Sequence, residues 1–152
     1  MSTTCELLNR PPQPTLAIRT HSAVQDLAQA MGQAFGAVAQ YLGQLGEHPA
    51  GPPYAAYHNM DMQNLDVEMG FPVARPLPGQ GAIQPALIPG GQIVAGLHVG
   101  PYDQMHHVYE ALTAWLKANG REATGVVYEV YLTDPNEAAP EALQTQVLMP
   151  LR

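Results

Sequence analysis

Hydrophobic residues recur at a helical spacing over one long stretch of the chain. Val24, Met31, Val38 and Leu45 stand seven residues apart, and Leu27, Ala34 and Tyr41 with Ala28, Phe35 and Leu42 fill the intervening apolar positions. This pattern predicts an amphipathic helix from about Ala23 to Gly46 with one broad buried face. Gly32, Gly36 and Gly43 each weaken such a helix by about 1 kcal/mol relative to alanine, and close packing against a sheet or a second helix is the expected reason for them. Before the helix, Thr15 to His21 has a short strand pattern. After the Pro/Gly break from His48 to Pro53, the runs Tyr54 to His58 and Leu65 to Val73 read as two strands joined by a polar turn through Asn59-Met60-Asp61. Ala74 to Gly81 is rich in proline and glycine and reads as a linker.

The second half repeats this order. Gln92 to Val99 reads as a strand, Asp103 to Asn119 as a helix, and Gly125 to Thr133 and Gln144 to Leu151 as strands. In the helix, Met105, Val108, Leu112 and Trp115 form the apolar stripe with Tyr109 and Leu116 beside it; Asp103 is the expected N-cap and Gly120 the stop. Laid on each other, the halves match His21 and Asp26 with His98 and Asp103 at a shift of 77, Tyr54 and Tyr57 with Tyr128 and Tyr131 at 74, and Pro72 with Pro150 at 78. A duplicated β-α-β-β unit follows. The predicted fold is α+β, one antiparallel sheet with two helices on one face and a ligand groove on the other. It places a single domain over 15–152, with repeats 15–73 and 82–151, behind a flexible tail from Met1 to Pro14.

The chemistry concentrates in Gly125-Val126-Val127-Tyr128-Glu129-Val130-Tyr131-Leu132, an apolar strand carrying one carboxylate. A mid-strand carboxylate is costly to bury alone, so it meets solvent, an ion pair or a cationic ligand. Strand alternation adds a conditional expectation. If Tyr54 and Tyr128 face the helices, then Tyr57, Glu129 and Tyr131 line the opposite groove with Ala55, and Glu68 in Leu65-Asp66-Val67-Glu68-Met69 is a second groove carboxylate. Phe71 and Tyr102 are the next candidates. Tyrosine faces attract organic cations, and a partly desolvated glutamate adds selectivity for charge. The expected ligand is flat, apolar and cationic.

Composition narrows the alternatives. The chain has 152 residues, 46% of them hydrophobic, which is enough for a real core. Six basic against thirteen acidic residues give a formal charge of -7, with Lys117 the one lysine. That balance disfavours direct nucleic-acid binding and favours cations. The one cysteine, Cys5, excludes an internal disulfide and reads as incidental; no apolar run is long enough for a membrane span, and the N-terminus lacks a signal-peptide pattern, so a cytoplasmic location is expected. His106-His107 point about 100° apart on a helix and lack a chelating spacing, so no metal is expected. No cofactor is expected either, since no phosphate loop is present. Ser2 and Ser22, the two serines, lie outside any nucleophile elbow.

The run Ile88-Pro89-Gly90-Gly91-Gln92-Ile93-Val94-Ala95-Gly96-Leu97-His98-Val99-Gly100-Pro101-Tyr102-Asp103, then Leu112 to Trp115, then Tyr128-Glu129-Val130-Tyr131 with Asp134-Pro135, resembles the gyrase-inhibitor-like effector-binding family. That family includes ligand-binding domains of certain AraC-type and multidrug-responsive MerR-type regulators. The resemblance spans about Thr15 to Leu151. It implies a duplicated strand-helix-strand-strand fold and a hydrophobic groove in which Glu129 binds the cation. Fourteen residues before Thr15 are too few for a helix-turn-helix, so a stand-alone module is expected. Some stand-alone relatives are hydrolases of strained, alkylating natural products; in that alternative Glu129 is the general base, and Tyr57 or Tyr131 orients or protonates the substrate. A third alternative is an acidic modulator of gyrase or another protein partner. A monomer or a dimer is expected, since an exposed edge strand can pair with a second copy.

Overall fold

The computed structural model describes residues 4–152, so the first three residues of the expected tail lie outside the described residues. The strands are β1 (Cys5–Arg10), β2 (Gln13–Ser22), β3 (Tyr54–Tyr57), β4 (Leu65–Pro72), β5 (Ile83–Ile88), β6 (Gly91–Val99), β7 (Val127–Tyr131) and β8 (Gln144–Pro150), with helix α1 (Leu27–Gln44) after β2 and helix α2 (His106–Ala118) after β6. The fold is α+β. Each helix follows a short 3-10 turn, Val24–Asp26 before α1 and Tyr102–Gln104 before α2. Asp103 therefore sits inside a 3-10 turn; Met105 occupies the N-cap position of α2, with no side-chain cap bond.

The chain divides into two compact units, Pro12–Pro89 and the N-terminal residues up to Pro11 together with Gly90–Arg152. In the Pro12–Pro89 unit, β2 lies between β4 and β5, and β3 pairs with the other side of β4. In the other unit, β6 lies between β8 and β1, and β7 pairs with the other side of β8. All these ladders are antiparallel. Two strands depart from expectation. Cys5–Arg10 is a paired strand rather than part of a tail, and it belongs with the second repeat. Ile83–Ile88, expected to open the second repeat, completes the first. Leu8 and Ile83 are both apolar residues in short segments flanked by proline or glycine, where a single strand edge leaves little periodic signal.

The two units share one pairing register. Leu16 pairs with Phe71 as Val94 pairs with Met149, a shift of 78 for both partners. Tyr54 pairs with Gly70 as Tyr128 pairs with Leu148, with the β3 residues shifted by 74 and the β4 residues by 78. The smaller shift arises because α1 runs about one turn further than α2 at its C-terminus, and the longer connection before β8 restores the difference. At a shift of 78, Thr20 is the counterpart of His98; both oppose the next strand at matching places, Val67 and Thr145. The expected match of His21 with His98 is one residue out of register, and one residue reverses the face of a strand.

Each helix packs on one face of its own strands. In the Pro12–Pro89 unit, Val38, Tyr41 and Leu42 of α1 bury Leu16, Val73, Leu77 and Ile83, with Ile18 and Phe71 packed against them. In the other, Met105, Val108 and Leu112 bury Val94, Val127, Val147 and Met149, with Trp115 and Leu116 at the margin. Both helices stop at a glycine with positive φ, Gly46 and Gly120. There the next amide reaches back over the turn, Glu47 to the Leu42 carbonyl and Arg121 to the Leu116 carbonyl.

The helix glycines do not serve close packing: a Cβ built at Gly32, Gly36 or Gly43 meets nothing within 4 Å. Gly70 and Gly96 do. A methyl on Gly70 would strike the Leu16 carbonyl oxygen and Ala17, and one on Gly96 would lie 2.7 Å from Val108 Cγ2. We predict that Gly70→Ala costs about 2 to 3 kcal/mol, because rigid backbone cannot yield. Gly32→Ala should instead stabilise by roughly 0.5 to 1 kcal/mol. Urea unfolding midpoints of the two variants check both signs.

Candidate functional site

Because Val94, Gly96 and Val147 face α2, ladder geometry carries Glu129, paired with Val147, to the same face. Tyr128, which alternates with Glu129, points the other way. In the Pro12–Pro89 unit, Leu16 and Phe71 face α1, so Ala55 and Tyr57 share that side while Tyr54 and Glu68 face away. The condition that Tyr54 and Tyr128 face the helices thus fails. Glu129, Tyr131 and Tyr57 lie on the helix-bearing faces of their units, not on the opposite ones. Strand alternation separated Tyr57, Glu129 and Tyr131 from Tyr54 and Tyr128 as expected, but Glu68, expected to share their groove, lies on the other face from Tyr57, and local periodicity carries no sign of which set α1 and α2 cover.

Three expected residues come together around β7. The Tyr131 hydroxyl donates to Glu129 Oε1 at 2.9 Å, and the Tyr109 hydroxyl of α2 donates to Glu129 Oε2. Tyr102, in the 3-10 turn before α2, meets the Tyr131 ring edge-on, with centroids 6.0 Å apart and planes at 75°. Glu129, Tyr131 and Tyr109 are half-buried, and Tyr102 is 42% exposed. Desolvation, reinforced by the charges of Asp134 and Glu129, raises the Tyr102 phenol above its ordinary range. The site therefore consists of one strand carboxylate held by two phenols, with a third phenol at its side and a second carboxylate, Asp134, close enough to act on it.

Tyr109 and Asp134 were not foreseen as site residues. Tyr109 lies beside the apolar stripe of α2, where a tyrosine reads as core, and only docking of the helix on its strands brings its hydroxyl to Glu129. Asp134 follows β7 in a loop fixed by its own Asx turn, in which the Asn136 amide donates to Asp134 Oδ1 at 2.8 Å.

The remaining expected residues have other settings. Glu68 is 8% exposed and is held in a hydrogen-bonded chain. Its Oε2 accepts from Tyr54, which also bonds Thr15 Oγ1 at 2.9 Å, and its Oε1 lies 3.1 Å from His58 Nε2. Phe71 packs edge-on against Phe35 of α1, with centroids 5.8 Å apart. Glu68 and Phe71 thus occupy opposite faces of β4. Nearby, Arg19 forks onto both Asp66 oxygens, at 2.9 and 2.8 Å, and its hydrogen bonding holds the Asp66 carboxyl below the usual range. Cys5 packs against the α2 core, and burial pushes its thiol up, which opposes thiolate reactivity.

The Pro12–Pro89 unit also has a cleft of about 440 Å³ between α1 and its strands, lined by Ile18, Met69, Ala30, Ala34, Asp26 and Gln33 among others. At the places of Ala30 and Ala34, the second repeat carries Val108 and Leu112, both fully buried. The small alanines leave that side of α1 open. Among the described residues, no group of three or more His, Cys, Asp or Glu side chains is arranged to hold a metal ion. No helix among them is long and apolar enough to cross a membrane.

No curated protein sequence matches the chain significantly. Among solved structures, the chain aligns over its full length with the C-terminal domain of EcmrR, at 21% identity and a TM-score of 0.87, covering 99% of that domain. It covers 58% of the EcmrR chain in an EcmrR–DNA complex, at 21% identity and a TM-score of 0.86. A hydrolase from Listeria innocua aligns with 98% of the chain at 16% identity and a TM-score of 0.67, with 92% of the hydrolase covered. SAV2435, solved bound to tetraphenylphosphonium, aligns with the whole chain at 10% identity and a TM-score of 0.59, with 94% of it covered. At these identities the likeness concerns the fold. The sequence profile of the GyrI-like small molecule binding domain matches residues 3–152, and the chain belongs to that family.

Proposed function

We propose that this GyrI-like domain binds hydrophobic, cationic aromatic molecules at Glu129, with Tyr131, Tyr109 and Tyr102 supplying the aromatic walls. The observation that carries this reading is the half-buried carboxylate held on both oxygens by phenols, so that one negative charge is fixed among three aromatic rings. Each good contact between a cation and a ring contributes roughly 0.5 to 2 kcal/mol. Stacking demands shape more than directed bonds, so the site tolerates varied ligands. The cationic aromatic ligand of SAV2435, a protein of the same fold, supports the choice of ligand class. Tyr57 and Phe71, on the α1 side of the other repeat, are candidates for apolar ligand contacts within that unit.

The test is equilibrium titration with tetraphenylphosphonium and with neutral triphenylphosphine oxide. Glu129→Gln should weaken the cation about tenfold while leaving the neutral compound nearly unchanged; equal losses would remove the charge argument. Tyr131→Ala should weaken both. Mass spectrometry of mixtures containing strained electrophiles separates binding from turnover: intact ligand supports a binding module, and a hydrated product lost in Glu129→Gln would establish the hydrolase alternative.

Tyr102 reports the same charge. Its folded pKa is raised, so its contribution to stability is intact below the ordinary tyrosine range and is lost as pH rises through the folded value. Absorbance titration of phenolate, taken as the difference between wild type and Tyr102→Phe, should show Glu129→Gln bringing Tyr102 only partway back. Burial is the larger cause and survives the substitution. An unchanged Tyr102 titration would separate its environment from Glu129.

A further inference from the structure

The two repeats place chemically different rows of residues on equivalent frames. Across β6, β8 and β7 on the α2 side runs the row His98, Thr145, Tyr131; its counterpart across β2, β4 and β3 is Thr20, Val67, Tyr57. The neighbouring rows are Gly96, Val147, Glu129 and Ile18, Met69, Ala55. Thus Thr145 stands where the first repeat has Val67, one row from the place where Glu129 replaces Ala55. Both central residues are fully buried.

Threonine and valine have nearly the same shape, so Val67 shows that this fold can fill the position without a hydroxyl. Thr145 nevertheless carries one, and its Oγ1 is buried with no hydrogen-bond partner among the described residues. An unpaired buried hydroxyl is costly. His98 does not relieve it through Nε2, which lies 2.8 Å from the Pro101 carbonyl and donates to it. The hydroxyl therefore sits beside Tyr131, on the face that carries Glu129, with its hydrogen-bonding capacity unused.

We propose that Thr145 is a ligand-recognition residue of the Glu129 site, hydrogen-bonding a hydroxyl, ether or carbonyl oxygen on the bound aromatic cation. This inference rests on cation binding at Glu129 and refines it. The preferred ligand class is an oxygen-bearing aromatic cation rather than a purely hydrocarbon one. Because Thr145 is fully buried, a ligand atom reaches it when the Tyr131 ring, its neighbour across the ladder, turns aside. Tyr131 thus stands next to both polar points, donating its hydroxyl to Glu129 and pairing with Thr145 across the ladder.

The test compares tetraphenylphosphonium with its three mono-hydroxyphenyl isomers on wild type, Thr145→Val, Thr145→Ser and Glu129→Gln. At least one isomer should bind wild type about fivefold to tenfold more tightly than the parent cation. Thr145→Val should abolish that advantage, Thr145→Ser should keep it, and the parent cation should bind both variants about as wild type does. An advantage that survives in Thr145→Val, or no advantage for any isomer, overturns the proposal. Parent binding that is indifferent to Glu129→Gln, or absent, instead overturns the cation site itself and the proposal with it. Thermal unfolding supplies a readout independent of ligand. Thr145→Val should melt at or above the wild-type temperature, since it removes an unpaired hydroxyl at constant shape, whereas a clear fall in melting temperature would show a structural role and overturn the proposal.

Discussion

The pairing of β7 with β8 decides the chemistry of this protein. Glu129 opposes Val147, and Val147 is packed beneath α2, so the carboxylate emerges on the helix side within reach of Tyr109. A slip of one residue would turn Glu129 away from α2 and bring up Tyr128 or Val130. The register is itself held by apolar burial. Val127 and Met149 belong to the α2 core, and Tyr128 and Leu148, on the other face, are also buried. Hydrophobic packing along the strand thus fixes the position of the charge, and two phenols then fix its orientation.

Duplication explains both the economy and the asymmetry of the fold. The paired strands of the two repeats share one register, and both helices begin with a 3-10 turn and end at a glycine in the left-handed region. Within that shared frame, the repeats diverged on their helix-facing rows. One carries Glu129, Thr145 and His98; the other carries Ala55, Val67 and Thr20 at the same places. Volume was redistributed too. Gly96 makes room for Val108 in one repeat, while Ile18, Ala30 and Ala34 line a cleft in the other. The carboxylate of the first repeat went elsewhere: Glu68 faces away from α1 and is occupied by Tyr54 and His58.

Much of this was legible in the sequence for identifiable reasons. Helical periodicity located α1 and α2 because a helix packed on one face must repeat its apolar residues at 3.6-residue spacing. Glu129 stood out because a lone carboxylate in an apolar strand demands an explanation, and Tyr131 shared its face because strand side chains alternate. The edge strands β1 and β5 were missed. Each pairs on one side only, in a segment punctuated by proline or glycine that resembles a tail or a linker. The helix glycines were misjudged for a related reason: composition shows that a side chain is absent but not whether anything stands in its place.

The sequence by itself determined the repeated order of strands and helices, the division of each strand into two faces, and the presence of a carboxylate among tyrosines, since all of these follow from local periodicity and residue chemistry. Tertiary structure decided which face each helix covers, and so moved Glu129 beside Tyr109 and Glu68 into a hydrogen-bonded chain with Tyr54. It also decided that Thr145 keeps a hydroxyl without a partner where its counterpart is a valine. Those outcomes depend on contacts between segments far apart in the chain, and local alternation fixes the spacing of side chains without fixing what they meet.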